Sequence, residues 1–111
     1  MPFLTVYSNT EIKDEKIVQD AAELVAKQLG KPIRYVVVNV INNENMAFEG
    51  SVKNKGALVE MQSIGFGDKD VLVKSLTDLL VERLQVERGL VNIHLTDMPA
   101  STVAIGGNLL G

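Results

Sequence analysis

Proline in second position, directly behind the initiator methionine, is the residue of this chain best suited to chemistry. A small second residue normally permits trimming of Met1, which leaves the secondary amine of Pro2 as the free terminus. That amine has no carbonyl withdrawing its lone pair. An α-amino group titrates near ~8 in water, and burial or a neighbouring cation lowers that value. Pro2 is therefore a candidate general base at neutral pH. Its plainer role would be to start an edge strand, where a missing N–H does no harm. Composition removes the competing chemistries. The chain has no cysteine and a single histidine, His94. Disulfides, thiol catalysis and Cys- or His-cluster metal sites are thereby excluded.

The partners are bounded in the same way. At 111 residues the chain forms one domain, and a formal charge of −3 without a basic run argues against nucleic acid. No apolar run approaches the ~20 residues of a membrane span. The opening lacks a basic segment followed by an apolar one, so the expected location is the cytoplasm.

Two copies of one unit are expected to position these residues. Leu29 aligns with Leu84 about 55 residues on, and the same offset places Leu24 on Leu79, Val38 on Ile93, Leu4 on Val59 and Ser8 on Ser63. Each copy, residues 2–41 and 57–96, reads strand–helix–strand. Phe3 to Ser8 is a β-type run, and Asp14 is the expected cap of a helix carrying Ile17, Val18, Ala21, Val25 and Leu29 at helical spacing. Gly30 and Pro32 end that helix, and Ile33 to Ile41 reads as a buried strand. In the second copy Ala57 to Ile64 is a strand. Asp68 caps a helix marked by Leu72, Leu76, Leu79, Leu80 and Leu84, and Leu90 to Thr96 is the last long strand. The fold class is α+β: a four-stranded mixed sheet with both helices on one face. The other face, rich in Val and Ile, would be open and apolar, and self-association is the simplest cover for it. Short segments near Phe48 and Val103 are expected to bridge subunits by strand pairing.

The chain resembles the macrophage migration inhibitory factor family of the tautomerase superfamily over nearly its whole length. The residues that carry the likeness are Met1-Pro2, Gly30-Lys31-Pro32 with Tyr35, Met46-Ala47-Phe48, Ser63-Ile64-Gly65, Leu79-Leu80-Glu82-Arg83-Leu84 and Asp97-Met98. The resemblance implies a homotrimer whose sheets enclose a channel. It also implies a cofactor-free keto–enol tautomerase acting on phenylpyruvate- or dopachrome-type substrates. By the same likeness Pro2 is the acid/base, Lys31 binds the substrate carboxylate and depresses the amine, and the Ile64 N–H offers a further bond. Ser63 and Tyr35 are further candidate substrate contacts. Read alone, Lys31 is an exposed lysine behind a helix cap.

The chain also departs from the family pattern. The Cys-x-x-Cys of vertebrate members falls on Gly56-Ala57-Leu58-Val59, so no thiol oxidoreductase activity is expected. The pocket tyrosine of the last long strand becomes Asn92. The asparagine two residues on, contributed from the adjacent subunit, becomes His94. The rim aromatics become Ile105 and Leu110, which reduces aromatic stacking. A function of another class stands beside the enzyme: a cytokine-like interaction protein whose pocket only binds.

Overall fold

In the computed structural model, which describes residues 1–111, the chain runs as two successive strand–helix–strand units. Strand β1 (Phe3–Ser8) leads into helix α1 (Lys16–Leu29) and strand β2 (Val37–Asn42). Strand β3 (Ala57–Ser63), helix α2 (Lys69–Leu84) and strand β4 (Val91–Asp97) repeat the plan. The sheet order is β2-β1-β3-β4. The strands within each unit are parallel, whereas β1 and β3 meet antiparallel at the centre with Val6 opposite Val59. The internal offset seen in the sequence thus becomes an approximate two-fold relation between the halves.

Strand alternation decides what each face carries. Leu4 and Val6 of β1 and Ala57, Val59 and Met61 of β3 are fully buried against the helices. They form one core with Ile17, Ala21 and Val25 of α1 and Leu72, Leu76, Leu80 and Leu84 of α2. The helix boundaries follow ordinary capping chemistry. Gly30 takes the left-handed conformation (φ 63°) and closes α1. Asp68 accepts the Val71 N–H at the start of α2. Asp14 lies one residue short of its expected capping place. Glu15 is the cap residue of α1 and makes no side-chain cap bond, while the Asp14 carboxylate accepts the Lys16 N–H. Asp14 and Asp20 both receive Arg83, which ties the last turn of α2 to α1.

Two further expectations change. The segment Ile33 to Ile41 is not one buried strand. Residues Ile33–Tyr35 form a 3₁₀ turn behind Pro32, and β2 begins at Val37 as an edge strand. Val38 and Val40 face the core, but Val37 and Ile41 remain 46% and 40% exposed, because nothing in the chain covers that face. The open face is also less apolar than a Val/Ile-rich reading suggests. Its central row runs Asn39, Thr5, Glu60 and His94 across the four strands, with apolar side chains such as Phe3, Tyr7 and Leu58 on either side. Apolar residues adjacent along a strand are divided by the pleat between two faces.

The two segments outside the repeat pair within their own chain. Phe48 bridges to Ser51 and is buried. Strand β5 (Ala104–Ile105) pairs with strand β6 (Asn108–Leu109) as a small hairpin. Asn9 holds the 46–56 segment in place: its amide donates to the Met46 and Asn54 carbonyls and accepts the Gly56 N–H.

Candidate functional site

The amino terminus, the end of α1 and the carboxy-terminal hairpin converge on one cavity of about 440 Å³. Each element arrives for a local reason. The β1–β2 ladder extends one residue beyond β1, because the Val37 N–H donates to the Pro2 carbonyl at 3.1 Å. That bond pins the chain start to the sheet. The Gly30 cap turns the backbone out of α1, so Lys31 and Pro32 follow it into the cavity wall. The Leu110 N–H donates to the Val103 carbonyl at 2.9 Å and folds the tail back, which brings Leu110 and Ile105 to the opposite wall. Tyr35 stands at the edge, with the Arg34 guanidinium 4.7 Å from its ring centroid and bonded to its hydroxyl.

With Met1 attached, Met1 lines the cavity and Pro2 is fully buried. The Pro2 nitrogen is an amide in that state. The terminal amine of Met1 is held below the ordinary α-amine range, first by burial and second by the positive charge of Lys31. Both causes disfavour the protonated form of that amine.

Lys31 is anchored: its Nζ donates to the Ile64 carbonyl at 3.0 Å. The expected donor at this position was the Ile64 N–H. That N–H is bonded to no group of the chain and remains available, while the carbonyl of the same residue orients the lysine. Ser63 has its backbone at the same corner, its carbonyl accepting the Met98 N–H at 2.8 Å. Its side chain turns towards the helices, is fully buried, and has no hydrogen-bond partner. Asn92 and His94 lie on β4, at the far edge of the sheet from β2, and are exposed on the open face. Within one chain they do not line the cavity. The structure therefore brings together Lys31 and Tyr35 beside the amino terminus, with Ile64 behind Lys31, and leaves Asn92 and His94 apart.

Sequence reasoning gave Asp97 no place at this corner. Asp97 ends β4, and its carboxylate accepts the Gly65 N–H at 2.9 Å. The signal available was an acidic residue closing a strand opposite a Ser-Ile-Gly turn, but nothing in the linear order says that the two meet. No group of three or more acidic or histidine side chains is arranged to hold a metal ion.

The family model described as macrophage migration inhibitory factor matches residues 1–111. A macrophage migration inhibitory factor homolog of Brugia malayi is 32% identical over 118 residues, covering all of both chains. The macrophage migration inhibitory factor of Meriones unguiculatus is 29% identical, with 97% of each chain covered. Among solved structures, the factor from Oncomelania hupensis superposes with a TM-score of 0.92 at 22% identity, covering 100% of this chain and 83% of that one. A homologue from Prochlorococcus marinus gives 0.91 at 21% identity, covering 98% and 99%. These structural likenesses show the shared fold.

Proposed function

The chain belongs to the macrophage migration inhibitory factor family, and from that premise we propose that it is a cofactor-free keto–enol tautomerase whose base is the Pro2 amine released by loss of Met1. The observation that carries this reading is the amino terminus in a cavity beside Lys31, where burial and the lysine charge both disfavour a protonated amine.

The chemistry needs little else. The neutral amine takes the proton from the carbon beside a carbonyl, the electron pair moves towards the carbonyl oxygen, and the ammonium returns a proton to the enolate. In the ketonising direction the same proton goes to carbon. Lys31 binds the substrate carboxylate and the Ile64 N–H supplies a further donor. The substrates are phenylpyruvate- or dopachrome-type keto and enol acids, with Tyr35, Ile105 and Leu110 contacting their apolar part. The absence of cysteine leaves no thiol oxidoreductase activity.

The assembly proposed is a homotrimer, as is typical of the family, with Asn92 and His94 reaching the cavity of a neighbouring subunit. Their exposure on the open face of a single chain supports that arrangement. The proposed location is the cytoplasm. A spectrophotometric ketonisation assay on protein whose amino terminus is verified by mass spectrometry tests the reading. Turnover is expected only after Met1 is lost. Trimmed protein that turns over no keto or enol acid would overturn it, and would favour a pocket that only binds.

A further inference from the structure

We propose that Asp97 is a positioning residue for Lys31, acting through the single peptide unit between Ile64 and Gly65. The kinetic part of this inference rests on the tautomerase reading of the same site. The Gly65 N–H donates to Asp97 Oδ1 at 2.9 Å, and the Ile64 carbonyl of that same peptide accepts Lys31 Nζ at 3.0 Å. A trans peptide is flat and stiff, and its N–H and C=O point to opposite sides. Holding the N–H therefore fixes the direction of the carbonyl, and the carbonyl fixes where the ammonium rests.

The constraint is needed at this place. The β3–β4 ladder ends with Ser63 opposite Asp97. The Met98 N–H holds the Ser63 carbonyl, but the next peptide has no ladder partner. Gly65 has φ +79°, and a glycine offers little steric resistance to rotation of the plane beside it. Asp97 supplies the missing restraint. Both bonds are charge-assisted, with an anion on the donor side and a cation on the acceptor side. Each polarises the amide so as to strengthen the other. One ammonium hydrogen is committed to Ile64, and two remain for a ligand carboxylate. A lysine on a flexible four-carbon stem is thus held for its ligand before the ligand arrives.

The test uses the trimmed full-length chain and the variants Asp97→Ala and Asp97→Asn. Three experiments are read: steady-state kinetics (kcat and KM) for phenylpyruvate and for its ester, the affinity for unreactive 3-phenylpropanoate, and the Gly65 amide proton shift by NMR. Asp97→Ala is expected to lower kcat/KM for the acid about tenfold, mostly through KM, and to change the ester by less than about twofold. Binding of 3-phenylpropanoate should weaken by a similar factor, and the Gly65 proton should move upfield. Asp97→Asn keeps an accepting oxygen and should limit the loss to about threefold. Equal effects on acid and ester, unchanged 3-phenylpropanoate binding in the Ala variant, or an Asn variant no better than Ala would each overturn the proposal. If the Ala variant does not fold, the Asn variant decides. A partial upfield shift with about threefold weaker probe binding is then expected, and no change in either refutes the role. Wild-type protein that turns over neither acid nor ester refutes the tautomerase reading, and probe affinity then decides the role of Asp97 alone.

Discussion

Lys31 Nζ and the Ile64 carbonyl oxygen lie 3.0 Å apart, although 33 residues separate them in the chain. The contact joins the end of α1 to the turn after β3 and makes a lysine behind a helix cap part of a defined cavity. Without the anchor the ammonium would sweep through solvent on its stem, and its field at the amino terminus would be weak.

Replacement of Lys31 by Ala should weaken use of carboxylate-bearing substrates by about tenfold and leave the corresponding esters nearly unchanged, because a charge-assisted contact contributes roughly 1.5–3 kcal/mol. Parallel kinetics on an acid and its ester measure the difference. An equal effect on both would make Lys31 a surface lysine without a ligand.

Pro2→Gly still permits loss of Met1 and preserves the bond from the Val37 N–H to the residue-2 carbonyl. It exchanges a rigid secondary amine for a flexible primary one. The ketonisation rate should fall by roughly 10²–10⁴ with little change in melting temperature. A variant as fast as the parent would remove Pro2 from the mechanism.

In protein that retains Met1, the terminal amine should titrate below an ordinary α-amine, with burial as the larger cause and Lys31 as the smaller. Lys31→Ala should therefore move the titration only part of the way back. The sign for stability follows from linkage. The unfolded chain holds that proton to higher pH, so this group's unfavourable contribution is present at low pH and fades as pH rises towards the ordinary value near ~8. The rate of amine acylation against pH reports the shift. A titration unmoved by Lys31→Ala would show that burial alone sets it.

Light scattering at micromolar concentration should give three times the 12.1 kDa chain mass. The exposed Val37, Ile41, Leu109 and Leu110 make a lone chain poorly covered. A stable monomer would leave Asn92 and His94 outside every cavity.

Asn9→Ala should cost about 2–3 kcal/mol, since it strands the Met46 and Asn54 carbonyls and the Gly56 N–H in a closed corner. Urea unfolding at neutral pH measures it. A loss below about half a kcal/mol would mean that water replaces the amide without difficulty.

Periodicity makes the two units legible in the sequence. Leu72, Leu76, Leu80 and Leu84 can share a buried stripe only on a helix, and they do. Gly30 marked the end of α1 for a reason written into its own backbone. Of the residues that carry the likeness, Met1 and Lys31 line one cavity, and Ile64 is bonded to Lys31. These signals are local: each depends on residues a few positions apart, whose geometry the chain imposes on itself.

What the tertiary structure alone decided is direction. The Ile64 carbonyl holds Lys31, a contact that the sequence does not indicate. Ser63 turns its hydroxyl into the helix layer, and Asp97 reaches back to Gly65 across a strand pair. The pleat divided a Val/Ile-rich segment between a packed face and an open one whose middle row is polar. Such outcomes depend on strand register and on which way one peptide plane rotates. A one-residue slip reverses every side chain of a strand without altering its composition, and sequence pattern carries no record of that choice.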